Sequence, residues 1–457
     1  MDATTAASPD TARSASDLPG IAAFPPARQA WSTVAVLALV TTFAELDQNI
    51  LGLLIQQIKT DFALSDTAAG LLLGPAFVIF YGCIGLPLAR FVDRSTRTKI
   101  MAIGVFVWSV ATAACGFAQN FAQLFAARIM VGAGEAINGP ASYSIVADCF
   151  PRERLPRAIA AMKIGTVAGG GLSLLLGGSL IWIVAKIGNP ALPLIGSLRP
   201  WQAVFIAVGL PGVLVALLMS SVREPVRRGL RMERPKIPLR DAFRYLSGRS
   251  PLYGPMFVGL ALGSLDIGFR AWGAAFFERT YGWSPARYGV TSGTMSLVLT
   301  LFGLYLGTKL VEAMFARGQE DAPMRLLLYS RLVALPFAIA VPLMPTPWLA
   351  LACSAAGMVT LGMGGPLINS ILQIVTPNEI RGQVTAMYLF TFIIVGSGLA
   401  PLLTGAVNDV VFTAPDDLRW SILLLHILFL PPALIVTWLG LTPYRSEVQR
   451  LNALEIA

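Results

Sequence analysis

The chain has 457 residues, 55% of them hydrophobic and 13% charged, where a soluble protein carries about 25% charge. This excludes a disordered, fibrous or ordinary cytosolic protein and leaves a polytopic α-helical membrane protein. The net charge of +9, from 34 Lys+Arg against 25 Asp+Glu, would suggest nucleic acid in a soluble chain. In a membrane protein the basic residues must first be located, because inner loops are basic for topological reasons.

Residues 1–30 are polar and rich in Ala, Ser, Thr and Pro. They read as a disordered cytoplasmic tail without the apolar core of a signal peptide. Runs of about 20 apolar residues then recur, each long enough to cross the hydrocarbon as a helix. Twelve spans are predicted, at 31–56, 66–89, 99–118, 121–147, 157–184, 200–220, 252–277, 286–308, 325–343, 347–375, 382–408 and 419–441. Gly interrupts the fifth and Gly-Pro the tenth, which membrane helices tolerate. The four cysteines, Cys83, Cys115, Cys149 and Cys353, sit in or beside apolar runs without a CxxC spacing and read as buried hydrophobes. His426 is the only histidine, so no His-based metal site, no metal and no cofactor are expected.

With both termini inside, 24 of the 34 Lys and Arg fall in the tails and inner loops, 6 in the outer loops and four inside spans. This alternation supports twelve spans in a bacterial inner (plasma) membrane with cytoplasmic ends. It accounts for the net charge as topology, so nucleic acid is not an expected partner. The basic stretch 221–250 separates six spans from six and reads as a tether on the inner face. The expected organisation is a tail at 1–30, a six-helix bundle at 31–220, the linker at 221–250, a second bundle at 251–442 and a cytoplasmic tail at 443–457.

The halves repeat. GPASYSIVADCFPRE at 139–153 and GPLINSILQIVTPNE at 365–379 match at Gly, Pro, Ser, Ile, Pro and Glu with a constant offset of 226. A parallel six-plus-six repeat is the signature of the major facilitator architecture, with a substrate cavity between the bundles near the midplane. The fold class expected is therefore an all-α polytopic membrane protein with the major facilitator fold, two pseudo-symmetric six-helix bundles that rock about a central site.

The loop ARFVDRSTRTK at 89–99 fits the major facilitator pattern G-x-x-x-D-R-x-G-R-R at Asp93, Arg94, Arg97 and Lys99, with Ala89 and Thr96 in place of the glycines. A carboxylate here can pair with arginines or a helix N-terminus of the other half and latch the cytoplasmic side. Asp93, Arg94 and Arg97 are the expected cytoplasmic gate.

Ionisable residues within spans are costly and usually functional. Span 1 carries Glu45 and Asp47, which point about 200° apart, so at most one faces the cavity squarely. Span 4 carries Arg128 and Glu135, seven apart and so on one face about 10 Å from each other. A second helix must supply Arg128 with a partner, and the Asp47 side of span 1 is the natural one. The repeat puts Ser354 and Leu361 at the equivalents of Arg128 and Glu135, confining this charge to the N-terminal half. A carboxylate in a partly dry cavity takes up a proton readily and a nearby arginine opposes this, so rocking that changes the contact couples protons to transport. Asp47, Arg128 and Glu135 are the expected coupling residues. Asp266 and Arg270 in span 7 are spaced to pair within one helix. Lys163 and Arg331 are expected to snorkel, and His426 to pack. Candidates for the cavity wall are Gln48, Asn49, Asn138, Tyr143, Asp266, Arg270, Asn369, Gln373 and Tyr388.

LDQNILGLLIQQIKTDFALSDTAAGLL, VDRSTRTKIM and above all ARIMVGAGEAINGPASYSIVADCFPRERLPRAIA resemble the Spinster branch of the major facilitator superfamily over most of the N-terminal half, and NEIRGQVTAMYLF and GSGLAPLLTG do so more weakly. The resemblance implies proton-linked movement of amphiphilic lipids, with the coupling residues falling on Asp47, Arg128 and Glu135. The family usually has Asp-Arg in span 1, where this chain has Asp47-Gln48.

The function expected is proton-coupled secondary active transport by alternating access, moving a small amphiphilic or lipid-like molecule, by a monomer in the lipid bilayer. The alternative is uptake of an organic acid, peptide or other nutrient. An enzyme is not expected, since HExxH, GxSxG and GxxxxGK are absent from the sequence. A cysteine placed in 187–198 is expected to label from the periplasm and one in 226–238 is not; the reverse pattern would overturn the topology.

Overall fold

The computed structural model describes residues 24–79, 81–82, 95–151, 153–188, 191–192, 196–227 and 238–456. Ten of its helices are each long and apolar enough to cross a membrane, and shorter helical pieces supply spans 2 and 4. Span 1 is Ala27–Phe62 and span 2 begins at Asp66–Leu73; the rest of its predicted range from 83 onward, with Cys83, lies outside the described residues. Span 3 is Arg97–Cys115, span 4 is Phe121–Glu135 with Asn138–Cys149, span 5 is Leu155–Ile187 and span 6 is Pro200–Ser220. Span 7 is Ser250–Arg270 continued by Gly273–Tyr281, span 8 is Pro285–Ala316 and span 9 is Ala322–Ala340. Span 10 is Pro347–Val375, span 11 runs from Arg381–Phe392 through Ala400–Val407, and span 12 is Leu418–Leu439. One outer loop holds a two-residue antiparallel pair, Ala191–Leu192 with Gly196–Ser197.

Local chemistry explains the starts. Ser65, Asn120, Ser284 and Thr346 each cap the helix that follows, their side-chain oxygens accepting from the amides of Ala68, Gln123, Arg287 and Leu349. Proline explains two breaks. Pro140 cannot donate to the carbonyl of Ala136, and span 4 breaks just there, between Glu135 and Asn138. Ahead of Pro401, span 11 widens into π turns over Ile393–Leu399, a device common at functional sites.

The halves meet along two helix pairs, span 5 with span 8 and span 2 with span 11. Glycine permits both approaches: a Cβ on Gly178 would lie 2.7 Å from the amide nitrogen of Val290, and one on Gly74 only 2.2 Å from the carbonyl oxygen of Gly398. Small residues at such crossings let helices touch and slide.

The apolar clusters are distributed unevenly. One belongs to the N-terminal half, around Leu37, Met101, Trp108 and Ile145, and one to the C-terminal half, around Met256, Leu260, Leu367 and Leu372. A third joins both halves, bringing Ile50, Leu54 and Leu72 together with Trp272, Phe276 and Phe277. It lies at the outer end, where outer and inner denote the ends as the charge pattern assigns them. Two inner segments expected as linker and tail are partly helical. Leu239–Gly248 and Leu441–Ile456 form helices and bury Ala242, Leu246, Tyr444 and Val448 against the C-terminal cluster. Residues 1–23 and 228–237 lie outside the described residues.

Candidate transport site

The face-splitting of span 1 decides the site. Asp47 is 2% exposed and turns toward span 4, whereas Glu45 and Gln48, one turn apart, line a cavity of about 150 Å³ with Tyr81, Glu135, Asn138, Tyr143 and Lys163. Arg128, 1% exposed, does meet span 1 at Asp47, but through the main chain. Its Nη1 donates to the Asp47 carbonyl oxygen at 3.0 Å, and the guanidinium lies 5.8 Å from the centre of the Phe77 ring. Glu135 accepts from Nε2 of Gln48 through Oε2 at 2.7 Å. Among the described residues, Oδ1 of Asp47, Nε of Arg128 and Oε1 of Glu135 then lack a hydrogen-bond partner of good geometry, with Thr112 beside the Asp47 carboxylate. Buried polar atoms normally find partners, so this trio is a store of unmet hydrogen-bonding and charge.

Lys163 does not snorkel. It is on the cavity wall, its Nζ 5.4 Å from the centre of the Tyr143 ring. Asn138, also on the wall, accepts from Ser142 at 3.1 Å. Asn49 is not on the wall, since its Nδ2 bonds back to the Glu45 carbonyl oxygen at 2.7 Å. Sequence reasoning named Glu45 but ranked Asp47 above it; the spacing of three to Gln48 was the signal that Glu45 faces the cavity.

In the C-terminal half, Asp266 and Arg270 pair at 2.7 Å, as their spacing predicts, and Gly357 leaves room for the guanidinium. His426 has an acidic neighbour after all, supplied by another helix: its Nε2 is 3.6 Å from Oδ1 of Asp266, and Nδ1 is 3.0 Å from the Ala338 carbonyl oxygen. Arg331 turns inward to the Gly259 carbonyl oxygen at 3.0 Å and to Oγ1 of Thr437, a correction to the expected snorkelling that the glycines at 259 and 263 make possible. Asn369 and Gln373 are exposed. Tyr388 is instead buried, edge-on to Phe257 at 5.4 Å, so packing removes it from a cavity wall.

At the inner end Asp93 and Arg94 lie outside the described residues. Arg97 is 2% exposed and engages its own half, with Asp148 at 2.5 Å and Glu224 at 2.7 Å. It ties spans 3 and 4 to the stretch that follows span 6, a geometry that satisfies a buried guanidinium without the other half. Burial pushes the Glu224 carboxyl up, but the Thr98 amide and the Arg97 guanidinium outweigh it and hold the group below its ordinary range. That contribution is therefore present above the ordinary glutamate range and lost as pH falls below it.

Residues 37–401 match the model of the Major Facilitator Superfamily. Among curated relatives, an MFS-type efflux pump of Mycolicibacterium smegmatis is 28% identical over 92% of this chain and 95% of its own length. Protein spinster of Drosophila melanogaster is 23% identical over 84% of this chain and 63% of its own. A bacterial homologue of the human lysosomal transporter Spinster, solved in an inward-facing and unoccupied conformation, superimposes with a TM-score of 0.76 at 23% identity, covering 93% of this chain and 98% of that one. The chain belongs to the major facilitator superfamily and is a multi-pass secondary transporter, not an enzyme. Several of the curated relatives it resembles are Spinster proteins.

The amide of Gln48 is what satisfies one oxygen of Glu135. Gln48→Leu leaves that buried oxygen bare, which costs about 1–3 kcal/mol. A lower thermal midpoint than wild type in detergent is expected; an unchanged midpoint would show that the bond contributes nothing.

Proposed function

We propose that the protein couples the movement of a small amphiphilic molecule to protons, using Glu135 and Asp47 as the proton-carrying groups around Arg128. The observation that carries this reading is a buried arginine that bonds a main-chain carbonyl oxygen while an adjacent carboxylate oxygen on each of two helices goes unpartnered. Such an arrangement tolerates either charge state of the acids. A proton added to Glu135 removes a charge from the cavity, and its loss restores attraction to Arg128. Rocking of the bundles changes which side supplies and receives that proton. Asp93 and Arg94 act in this reading as the inner gate, on the sequence pattern alone.

The amphiphilic substrate is supported by an asymmetry between the halves. The N-terminal wall offers Glu45 and Lys163, charges of opposite sign that attract each other across the cavity. The repeat equivalent of Glu135 is Leu361, which is 41% exposed. Charges of opposite sign on the N-terminal wall suit a molecule with a charged head. In this reading the protein works as a monomer in the plasma membrane with both termini cytoplasmic.

The test is uptake into proteoliposomes with an imposed proton gradient, screened over a panel of lysolipids and organic anions. Wild type is expected to accumulate its substrate against a gradient. Glu135→Gln, which resembles the permanently protonated acid, is expected to keep exchange of substrate across the membrane but to lose gradient-driven accumulation. Full accumulation in both Glu135→Gln and Asp47→Asn would move the proton elsewhere, and equilibration without accumulation in wild type would make the protein a uniporter.

A further inference from the structure

The outer end holds a second charged cluster, which the coupling reading does not use. Asp66, at the start of span 2, is 1% exposed. Arg279 of span 7 grips it with two nitrogens, Nη2 to Oδ1 at 2.7 Å and Nη1 to Oδ2 at 2.9 Å. Lys59 reaches Oδ1 at 2.6 Å, and Asn408 of span 11 donates to Oδ2 at 2.7 Å. Arg279 also donates through Nε to Gln56 of span 1 at 2.9 Å. Asp409, beside Asn408, takes the first two amides of span 2, that of Asp66 at 3.0 Å and that of Thr67 at 2.6 Å, together with the Thr67 hydroxyl at 2.6 Å. Seven hydrogen bonds thus join the N-terminal half to the C-terminal half within one small cluster.

We infer that Asp66, Arg279 and Asp409 are gating residues that close the outer side of the transport path. The argument rests on three features. The contacts are between halves, so rocking must break them. Their chemistry is selective for one register, since a bidentate guanidinium–carboxylate pair and a carboxylate on a helix N-terminus both fail when the partners slide. They are also reversible. Taking paired charges from water costs nearly what their attraction returns, so water can replace the partners when the side opens, whereas an apolar seal alone would favour closure without choosing a register. The apolar cluster of Leu54, Leu72, Trp272 and Phe276 supplies that seal beside the charges.

The outer cluster mirrors the expected inner gate. At the inner end a carboxylate after span 2, Asp93, is expected to meet the N-terminus of a helix in the other half. At the outer end a carboxylate late in span 11, Asp409, meets the N-terminus of span 2. If Asp93 acts as its sequence pattern implies, each half lends an acid to the other at opposite ends, and rocking that makes one contact releases the other.

The test is the distance between spin labels at Gln119 and Leu343, one on each half at the outer end, in the full-length protein by double electron–electron resonance. Asp409→Asn removes the charge facing the span 2 N-terminus while keeping a similar side chain, and Arg279→Lys keeps the charge but loses the bidentate grip. Both are expected to raise the ratio of outer-open to outer-closed molecules by about two- to fivefold, the factor a charge at a helix terminus is worth. Asp409→Glu is expected to restore the wild-type distribution. Wild-type distributions in both Asp409→Asn and Arg279→Lys, with the proteins monodisperse and helical, would overturn the proposal. This readout needs neither a substrate nor a proton gradient, so its failure is distinct from failure of the coupling reading.

Discussion

Arg128 holds a full positive charge inside the N-terminal bundle, and what it is given to bond with determines the rest of the site. Charge at membrane depth is expensive unless it is paired or faces water. Here the guanidinium has a main-chain carbonyl oxygen and an aromatic face. That carbonyl fixes how span 1 is turned against span 4, and the turn sends Asp47 inward while Glu45 and Gln48 face the cavity. Gln48 then reaches Glu135 from the cavity side. Had Arg128 closed a direct ion pair, neither acid would be free to change its proton without breaking the packing.

The repeat builds two equal scaffolds and fills them with unequal chemistry. Both halves use close glycine contacts and proline-set irregularities where they cross, as at Gly74 and Gly398. The N-terminal half carries the unpaired charge. In the C-terminal half Arg270 neutralises Asp266 with His426 close by, and Arg331 is met by neutral oxygens of Gly259 and Thr437. In the reading proposed above, the N-terminal bundle is the one that responds to protons. The outer cluster on Asp66 then sets when the two surfaces are apart.

Much of the fold was legible in the sequence because its signals are local. Apolar runs, capping residues such as Asn120 and Thr346, and the balance of basic loops each act within a few residues. The break after Glu135 and the π turns of span 11 were not resolved, since proline shows that a helix must adjust but not how. Within the site, the shared face of Arg128 and Glu135 followed from their spacing of seven. The partner of Arg128 did not, because a main-chain acceptor has no side-chain signature. Lys163 and Arg331 were misjudged for a related reason: whether a long cation reaches water or turns inward depends on space left by another helix, as Gly263 leaves for Arg331. His426 met its acid across helices, and Asp66, Arg279 and Asp409 are separated by more than 300 residues of chain between the first and the last, so no local pattern joins them.

The central claim is that Asp47 and Glu135 exchange protons while Arg128 stays in place. Infrared difference spectra of the reconstituted protein, recorded between alkaline and acidic buffer, test it without a substrate. The account predicts a carboxylic-acid carbonyl band that grows on acidification and is lost in the Asp47→Asn, Glu135→Gln double variant. A band of wild-type size in that variant would contradict the account.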